Sequence, residues 1–216
     1  MKKETMMKTK RLLLKPMPLE KLEKKASQLA DPELKKAYGE MLDGCRQKPG
    51  DFLWYAPWEM IRKSDGRAIG DLCFKGAPKK GTVEVGYGIE KDFEGQGYTT
   101  EALTAMLDWA FAQEKVYAVE AETAPENLAS RHILEKLRFV PAGEGEEGPR
   151  FRREKPQVSW MAIYLCFGLS IGLAMGNVME NLSAGMCCGM GMALSLGAAM
   201  DAAERKRRKA ALEGEE

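Results

Sequence analysis

The short glycine turn Gly95-Gln96-Gly97 stands between a strand-like segment ending at Ile89 and a helical pattern that begins near Thr99. Helix N-termini leave backbone N–H groups unpaired and carry about half a positive charge. Glycines let the chain bend there and let an anion come close to those amides, because no Cβ intervenes. The physical implication is a seat for a phosphate or diphosphate. No Walker lysine follows, and the third glycine of a dinucleotide fingerprint is missing, so nucleotide hydrolysis and nicotinamide redox chemistry lose ground. His132 is the one histidine of the chain, which excludes triad chemistry unless it is itself the base; its place inside a helical segment reads as exposed surface. Five cysteines, none spaced C-x-x-C, build neither a disulfide framework nor a zinc site, so no metal is expected.

The elements that must position the turn follow from periodicity. Arg11–Lys15 reads as a first strand, and Leu19–Ala30 and Pro32–Lys48 read as helices, the second capped by Asp31. Trp54–Arg62, Ala68–Lys75 and Thr82–Ile89 read as strands; in the last, Val83, Val85 and Tyr87 share one face and Glu84, Gly86 and Gly88 the other. Thr99–Gln113 is a helix with Leu103, Met106, Leu107, Ala110 and Phe111 inward. Val116–Thr123 is a strand, and Asn127–Leu137 a helix with Leu128, Ile133, Leu134 and Leu137 inward. Phe139 begins another strand, the acidic stretch Glu144-Gly145-Glu146-Glu147 is a solvated loop, and Arg150–Lys155 is a polar, edge-type strand. The fold class this implies is α+β: a mixed, mostly antiparallel sheet with helices on both faces. A formal net charge of +1 offers no basic surface, so Trp54, Tyr55 and Trp58 read as core and cleft wall and nucleic acid is not a partner.

About thirty residues beyond the glycine turn stands Asn127-Leu128-Ala129-Ser130-Arg131-His132-Ile133-Leu134, ending at Arg138-Phe139. Together with Val85-Gly86-Tyr87-Gly88-Ile89 and Gly95-Gln96-Gly97-Tyr98-Thr99-Thr100-Glu101-Ala102, this resembles the GNAT superfamily of acyl-CoA-dependent N-acetyltransferases, nearest the branch that includes ribosomal-protein alanine acetyltransferases. The resemblance covers Lys8 to Lys155, the span of a residue 1–155 domain. It implies that Thr82–Ile89 splays from Val116–Thr123, and that the pantetheine arm of acetyl-CoA bonds the open edge near Ile89. It also implies that the amides of Glu94–Thr99 and on to Thr100 wrap the pyrophosphate, while Asn127 and Ser130 reach the cofactor arm and the thioester sulfur. Three positions depart from the family pattern. Glu94 begins the loop where glutamine or arginine is usual, and should face solvent; Thr99 ends it where glycine or alanine is usual. Arg138 stands where a glycine usually precedes Phe139, which suggests a different turn. Leu134 occupies the position of a tyrosine acid, leaving protonation of the leaving thiolate to Ser130 or water. Amine acylation needs a base, since a lysine amine with a pKa of about 10.4 is protonated at neutral pH. Glu84, Glu120 and Glu122 are the candidates, Glu84 first; Glu120 and Glu122 share a face, where like charges would raise one pKa.

From Ser159 to Met200 the only charged residue is Glu180. Each half of that stretch reaches about 30 Å as a helix, the hydrocarbon thickness of a bilayer. Gly168, Gly172 and Gly176 recur every fourth residue, as do Gly185, Gly189, Ala193 and Gly197, the small-x-x-x-small pattern of close helix pairs in lipid. Arg150, Arg152, Arg153 and Lys155 precede the pair and Arg205-Lys206-Arg207-Arg208-Lys209 follows it. Residues 156–158 are therefore read as a linker, 159–200 as a transmembrane hairpin with its tip at Asn177–Leu182, and 201–216 as a charged tail, with both ends cytoplasmic. A soluble helical hairpin that self-associates through the stripe is the alternative, and a homo-oligomer stays open. The functional expectation is a membrane-tethered N-acetyltransferase acting by direct attack of a primary amine, a protein N-terminus or a small molecule. The alternatives are a non-catalytic acyl-CoA-binding module or a glycine-zipper membrane assembly protein.

Overall fold

Asp31 accepts hydrogen bonds from the amides of Glu33 and Leu34, and the proline after it fits the first helical turn. Such local signals recur through a computed structural model that describes residues 6–213. The chain divides into two compact units, Met1–Lys155 and Pro156–Glu216; the very start of the basic N-terminus and the end of the charged tail lie outside the described residues.

In the first unit the strands are β1 (Met7–Lys8), β2 (Leu12–Pro16), β3 (Trp58–Arg62), β4 (Ala68–Phe74), β5 (Thr82–Ile89), β6 (Ala118–Glu122), β7 (Val140–Glu144) and β8 (Pro149–Glu154). They form one sheet in the order β1-β2-β3-β4-β5-β6-β8-β7. Every neighbouring pair is antiparallel except β5 and β6, which are joined by the crossover helix α4 (Tyr98–Ala112). Helix α4 buries Leu103, Met106, Leu107 and Ala110 against Leu12, Leu14, Trp58, Met60, Leu72, Phe74, Val83, Val85 and Val119. Alternation sends the residues between them to the other face, where α1 (Leu19–Gln28) and α2 (Pro32–Gln47) lie. There Lys21 pairs with Glu59, and Lys25 and the Tyr38 hydroxyl both reach Asp71. A smaller cluster of Met17, Leu22, Tyr38, Cys45 and Ala56 holds that layer. The architecture is the mixed, mostly antiparallel sheet with helices on both faces.

Four local expectations change. Trp54 and Tyr55 belong to a helical turn, α3 (Phe52–Tyr55), closed by Ala56 N–H on Phe52 O, and the strand begins only at Trp58. Arg150–Lys155 is no edge: β8 lies between β6 and β7, and β7 is the edge. Leu128, the first residue of α5 (Leu128–Lys136), is 70% exposed, because the buried arc of this helix runs through Ser130 and Leu134. Arg138 adopts φ +61°, so the helix ends in the left-handed turn that glycine favours, with arginine in glycine's place.

The second unit is a pair of helices, α6 (Trp160–Val178) and α7 (Leu182–Glu213), the latter continuing as helix through the charged stretch. Ser159 caps α6, and Asn181 accepts from Ala184 N–H at the start of α7. The Asp201 carboxylate accepts from Trp160 N–H at 2.8 Å, which fixes the register of one helix on the other. The buried residues of the pair are Gly168, Gly172, Gly176, Gly185, Gly189, Ala193 and Gly197. Phe167, Ile171, Leu173, Leu194 and Leu196 face outward. Small residues inside and large apolar ones outside invert the arrangement of a water-soluble core.

Candidate active site

The site begins where β5 and β6 part. They pair only at Thr82↔Ala118, Val83↔Val119 and Glu84↔Glu120, so the β6 side of Val85–Ile89 is left open, with Ile89 at its end. Gly86 and Gly88 lie on the face away from α4, and a Cβ at Gly88 would meet nothing within 4 Å. A gap in the sheet with a bare floor results.

The loop after β5 turns through a single 3-10 turn, Lys91–Phe93, into α4. Gly95 and Gly97 adopt φ of +68° and +77°, the left-handed conformation that glycine takes without strain. Helix α4 has no side-chain N-cap, and the backbone amides of Gly95 through Thr100 find no acceptor among the described residues. Tyr98 and Thr99 are buried, Tyr98 edge-on to Phe93, so each offers the loop its amide rather than its side chain. Gln96 is tied back on both sides: Nε2 donates to Asp92 O, and its carbonyl accepts from Arg11 Nη1 at 3.0 Å. Glu94 is exposed, as the sequence requires of a carboxylate beside an anion seat.

Asn127 is the N-cap of α5; its Oδ1 accepts from Ser130 N–H at 3.0 Å and leaves Nδ2 free. That cap holds Ser130, 8% exposed, in the first turn, where its hydroxyl lies 2.7 Å from the Tyr87 hydroxyl on β5. Burial pushes the Tyr87 phenol above its ordinary value, against the smaller opposite effect of the serine. Leu134 is fully buried in the core and takes no part.

The three candidate bases all lie on the sheet face away from α4, and none stands alone. Glu120 and Glu122 sit directly across from Arg152 and Arg150 on β8, at 2.6 Å in each case. Glu122 is 4% exposed and also accepts from Glu147 N–H. Burial by itself would raise its pKa, but the Glu147 amide and the Arg150 guanidinium outweigh that and hold it below the usual carboxylate range. The expected rise from like charges is therefore reversed, because β8 interleaves an arginine with each glutamate. Glu84 lies 2.6 Å from Lys75 Nζ, which also donates to Glu147 Oε1 at 2.7 Å. Glu84 Oε1 is buried, and the Lys75 ammonium is the group that faces it. Burial would lower the Lys75 ammonium, but its two carboxylate partners keep it above the ordinary lysine value.

Residues 11–140 match the family model described as the Acetyltransferase (GNAT) domain. This chain belongs to the GNAT family. The GNAT domain is similar to the "Uncharacterized N-acetyltransferase YjdG" of Bacillus subtilis (strain 168), 32% identical over 84 residues that cover 38% of this chain and 50% of the relative. The chain thus spans about half the length of the curated relatives it matches. Among solved structures, the ribosomal-protein-S5-alanine acetyltransferase of Vibrio fischeri superposes with a TM-score of 0.55 at 14% identity, covering 71% of this chain and 98% of that one. Mycobacterium smegmatis RimJ, in complex with CoA-disulfide, does so at 0.51 and 18%, covering 69% and 86%. At these identities the structural likeness speaks for the fold.

Two residues of the GNAT domain's site escape a reading of the sequence. Arg11 sits in the β1–β2 turn, with its guanidinium 4.2 Å over the Tyr98 ring and its Nε on Glu101 at 2.7 Å. Nothing local announces a partner ninety residues away. Tyr87 was legible as a buried-face residue, and a buried tyrosine hydroxyl needs a partner; the partner's identity was not.

Proposed function

We propose that this chain is an N-acetyltransferase that transfers an acetyl group from acetyl-CoA to a primary amine by direct attack. The observation that carries this is the row of unsatisfied amides from Gly95 to Thr100 beside a gap between two diverging strands, within a GNAT domain. The residues fit the donor: amides and a helix N-terminus suit a diphosphate, and the open edge near Ile89 suits an amide-containing arm. Acetyl-CoA supplies the activated acyl group. Gly95, Gln96, Gly97, Tyr98, Thr99 and Thr100 hold the diphosphate through their amides, Asn127 Nδ2 reaches the arm, and Ser130 stands at the sulfur. That RimJ of Mycobacterium smegmatis was solved with a CoA-disulfide supports the choice of donor.

Glu84 accepts the proton that the attacking nitrogen loses. Its partner Lys75 is a single flexible ammonium, which a substrate ammonium displaces more readily than the planar guanidinium that grips Glu122 with two nitrogens or the one that reaches Glu120 through Nη1. With the other carboxylates so neutralised, the site suits an acceptor that needs little deprotonation. A peptide α-amine, with a pKa of about 7.7–8.0, is partly neutral near pH 7.4, whereas a lysine ε-amine at about 10.4 is neutral in only about one molecule in a thousand. The acceptor is therefore read as an α-amine, in keeping with the S5-alanine acetyltransferase among the structural neighbours. The outward apolar faces of α6 and α7, both long and apolar enough to cross a bilayer, support insertion of the hairpin with both ends cytoplasmic.

Release of free thiol from acetyl-CoA with a panel of peptide and small amines tests the activity, with Glu84→Gln expected to slow it. The pairing of all three glutamates favours one second reading, an acyl-CoA-binding module without turnover: binding of CoA with no thiol released by any amine would establish it. Carbonate extraction tests the tether; full-length protein released into the soluble fraction would remove it.

A further inference from the structure

The pair of hydroxyls in the site has a chemistry that serine alone lacks. A thiolate leaving group has a conjugate-acid pKa of about 8.5, and a phenol titrates at about 10, a far better match than an aliphatic alcohol. Ser130 giving up its proton with nothing behind it would be left as a strongly basic alkoxide in a buried site, which is costly. The Tyr87 hydroxyl lies 2.7 Å from Ser130 Oγ. Tyr87 stands on β5 three residues past Glu84, the last residue paired with β6, so it reaches the gap from the diverged part of the strand. Asn127 fixes Ser130 from the other side through the 3.0 Å cap bond. Leu134, one turn further along the same helix, is fully buried and cannot donate.

We infer that Tyr87 is a positioning residue that supplies, through Ser130, the proton taken by the departing sulfur. The inference rests on the acetyltransferase reading. Ser130 Oγ–H donates to the sulfur as the acyl carbon–sulfur bond breaks and its electron pair moves onto sulfur. Ser130 Oγ takes the phenolic proton of Tyr87 in the same movement. Glu84, having taken the proton lost by the attacking nitrogen, releases it to solvent, and solvent reprotonates the phenolate, so the protein ends the cycle unchanged. Burial, which keeps the phenol protonated at neutral pH, suits it to this role.

The test uses the full chain and Tyr87→Phe, which keeps the ring and removes only the hydroxyl, with Ser130→Ala and the double variant. Tyr87→Phe should lower kcat about 100-fold, leave KM for acetyl-CoA unchanged, and abolish the alkaline limb of the kcat–pH profile. The double variant should be no slower than the slower single one, because the two act as a unit. Independently of turnover, ring-carbon NMR of tyrosine in the free protein should show the Tyr87 phenol titrating above the ordinary value and moving higher still in Ser130→Ala. Wild-type kcat with an unchanged pH profile in Tyr87→Phe overturns the inference, as does a Tyr87 signal indifferent to Ser130→Ala. Absence of turnover in the wild type with every amine sinks the acetyltransferase reading itself, and this inference with it. Loss of CoA binding in Tyr87→Phe makes the residue structural and likewise overturns the inference.

Discussion

Two glycines on α7, Gly189 and Gly191, lie two residues apart and should respond in opposite ways to the same change. A Cβ built on Gly189 would run first into Gly168 O and would lie 2.6 Å from Gly172 Cα and 2.7 Å from Gly172 N, all backbone atoms that cannot swing away. A Cβ on Gly191 meets nothing within 4 Å. Both substitutions to alanine gain the same helix propensity, about 1 kcal/mol, so that contribution cancels in the comparison. What remains is packing. Restoring an ordinary contact of 3.4 Å to Gly172 Cα alone requires the helices to separate by about 0.8 Å, and relieving the closer approach to Gly168 O requires more. A gap of that size forfeits a quarter to a half of each dispersion contact along the seam, and overpacking of this kind costs about 1–3 kcal/mol. Gly189→Ala should therefore be about 1–3 kcal/mol less stable than Gly191→Ala. The assay is a denaturing-detergent titration of the full-length chain in mild micelles, read by energy transfer between dyes on Ile163→Cys and Leu194→Cys in a background without other cysteines. Equal midpoints for the two alanine variants would refute a hairpin held by backbone-to-backbone approach of its glycines.

In the first unit, Gly66 and Gly97 have nearly the same left-handed φ, +71° and +77°, and neither would clash with a Cβ. Alanine at either should cost about 1–2 kcal/mol of stability in thermal unfolding, but only Gly97→Ala should weaken CoA binding by calorimetry, because only Gly97 belongs to the amide loop. Glu101 is a test by pH: burial would raise its pKa, yet the Thr9 hydroxyl, the Arg11 amide and the Arg11 guanidinium hold it at about 2. Its contribution is thus fully present above the ordinary carboxylate value of 4.5 and is lost as pH falls through the range down to about 2; Glu101→Gln should be less stable at pH 7 and flatter across that acid range in chemical denaturation.

What the sequence made legible is what short-range physics decides. The glycine turn, the Asp31 cap, the alternation in β5 and the small-residue stripes each follow from residues within a few positions of one another, and each recurs in the structure. The error at Trp54 and Tyr55 shows the limit of such reasoning. Aromatic residues favour strands in general, but here Trp54 packs its ring on Trp109 at 4.7 Å and on Phe74 at 5.0 Å, and tertiary packing overrides propensity. Strand order was illegible for a related reason. Nothing local distinguishes a polar edge strand from one slotted between two others.

The polar character of β8 did carry information, but of a kind visible only in pairs. Arg150, Phe151 and Arg152 alternate against Glu122, Ala121 and Glu120 in antiparallel register, so each strand supplies the charge that the other lacks. Read singly, Glu120 and Glu122 look like two carboxylates in mutual repulsion; read with β8, they are two ion pairs on one face. The same holds for the turn that carries Arg11, which makes sense only once Glu101 and the Gln96 carbonyl are beside it. In this domain the main-chain side of the site, a loop of free amides and a gap between strands, was written locally. The arginines that neutralise Glu122, Glu120 and Glu101 stand 28, 32 and 90 residues from them, where no local pattern reaches.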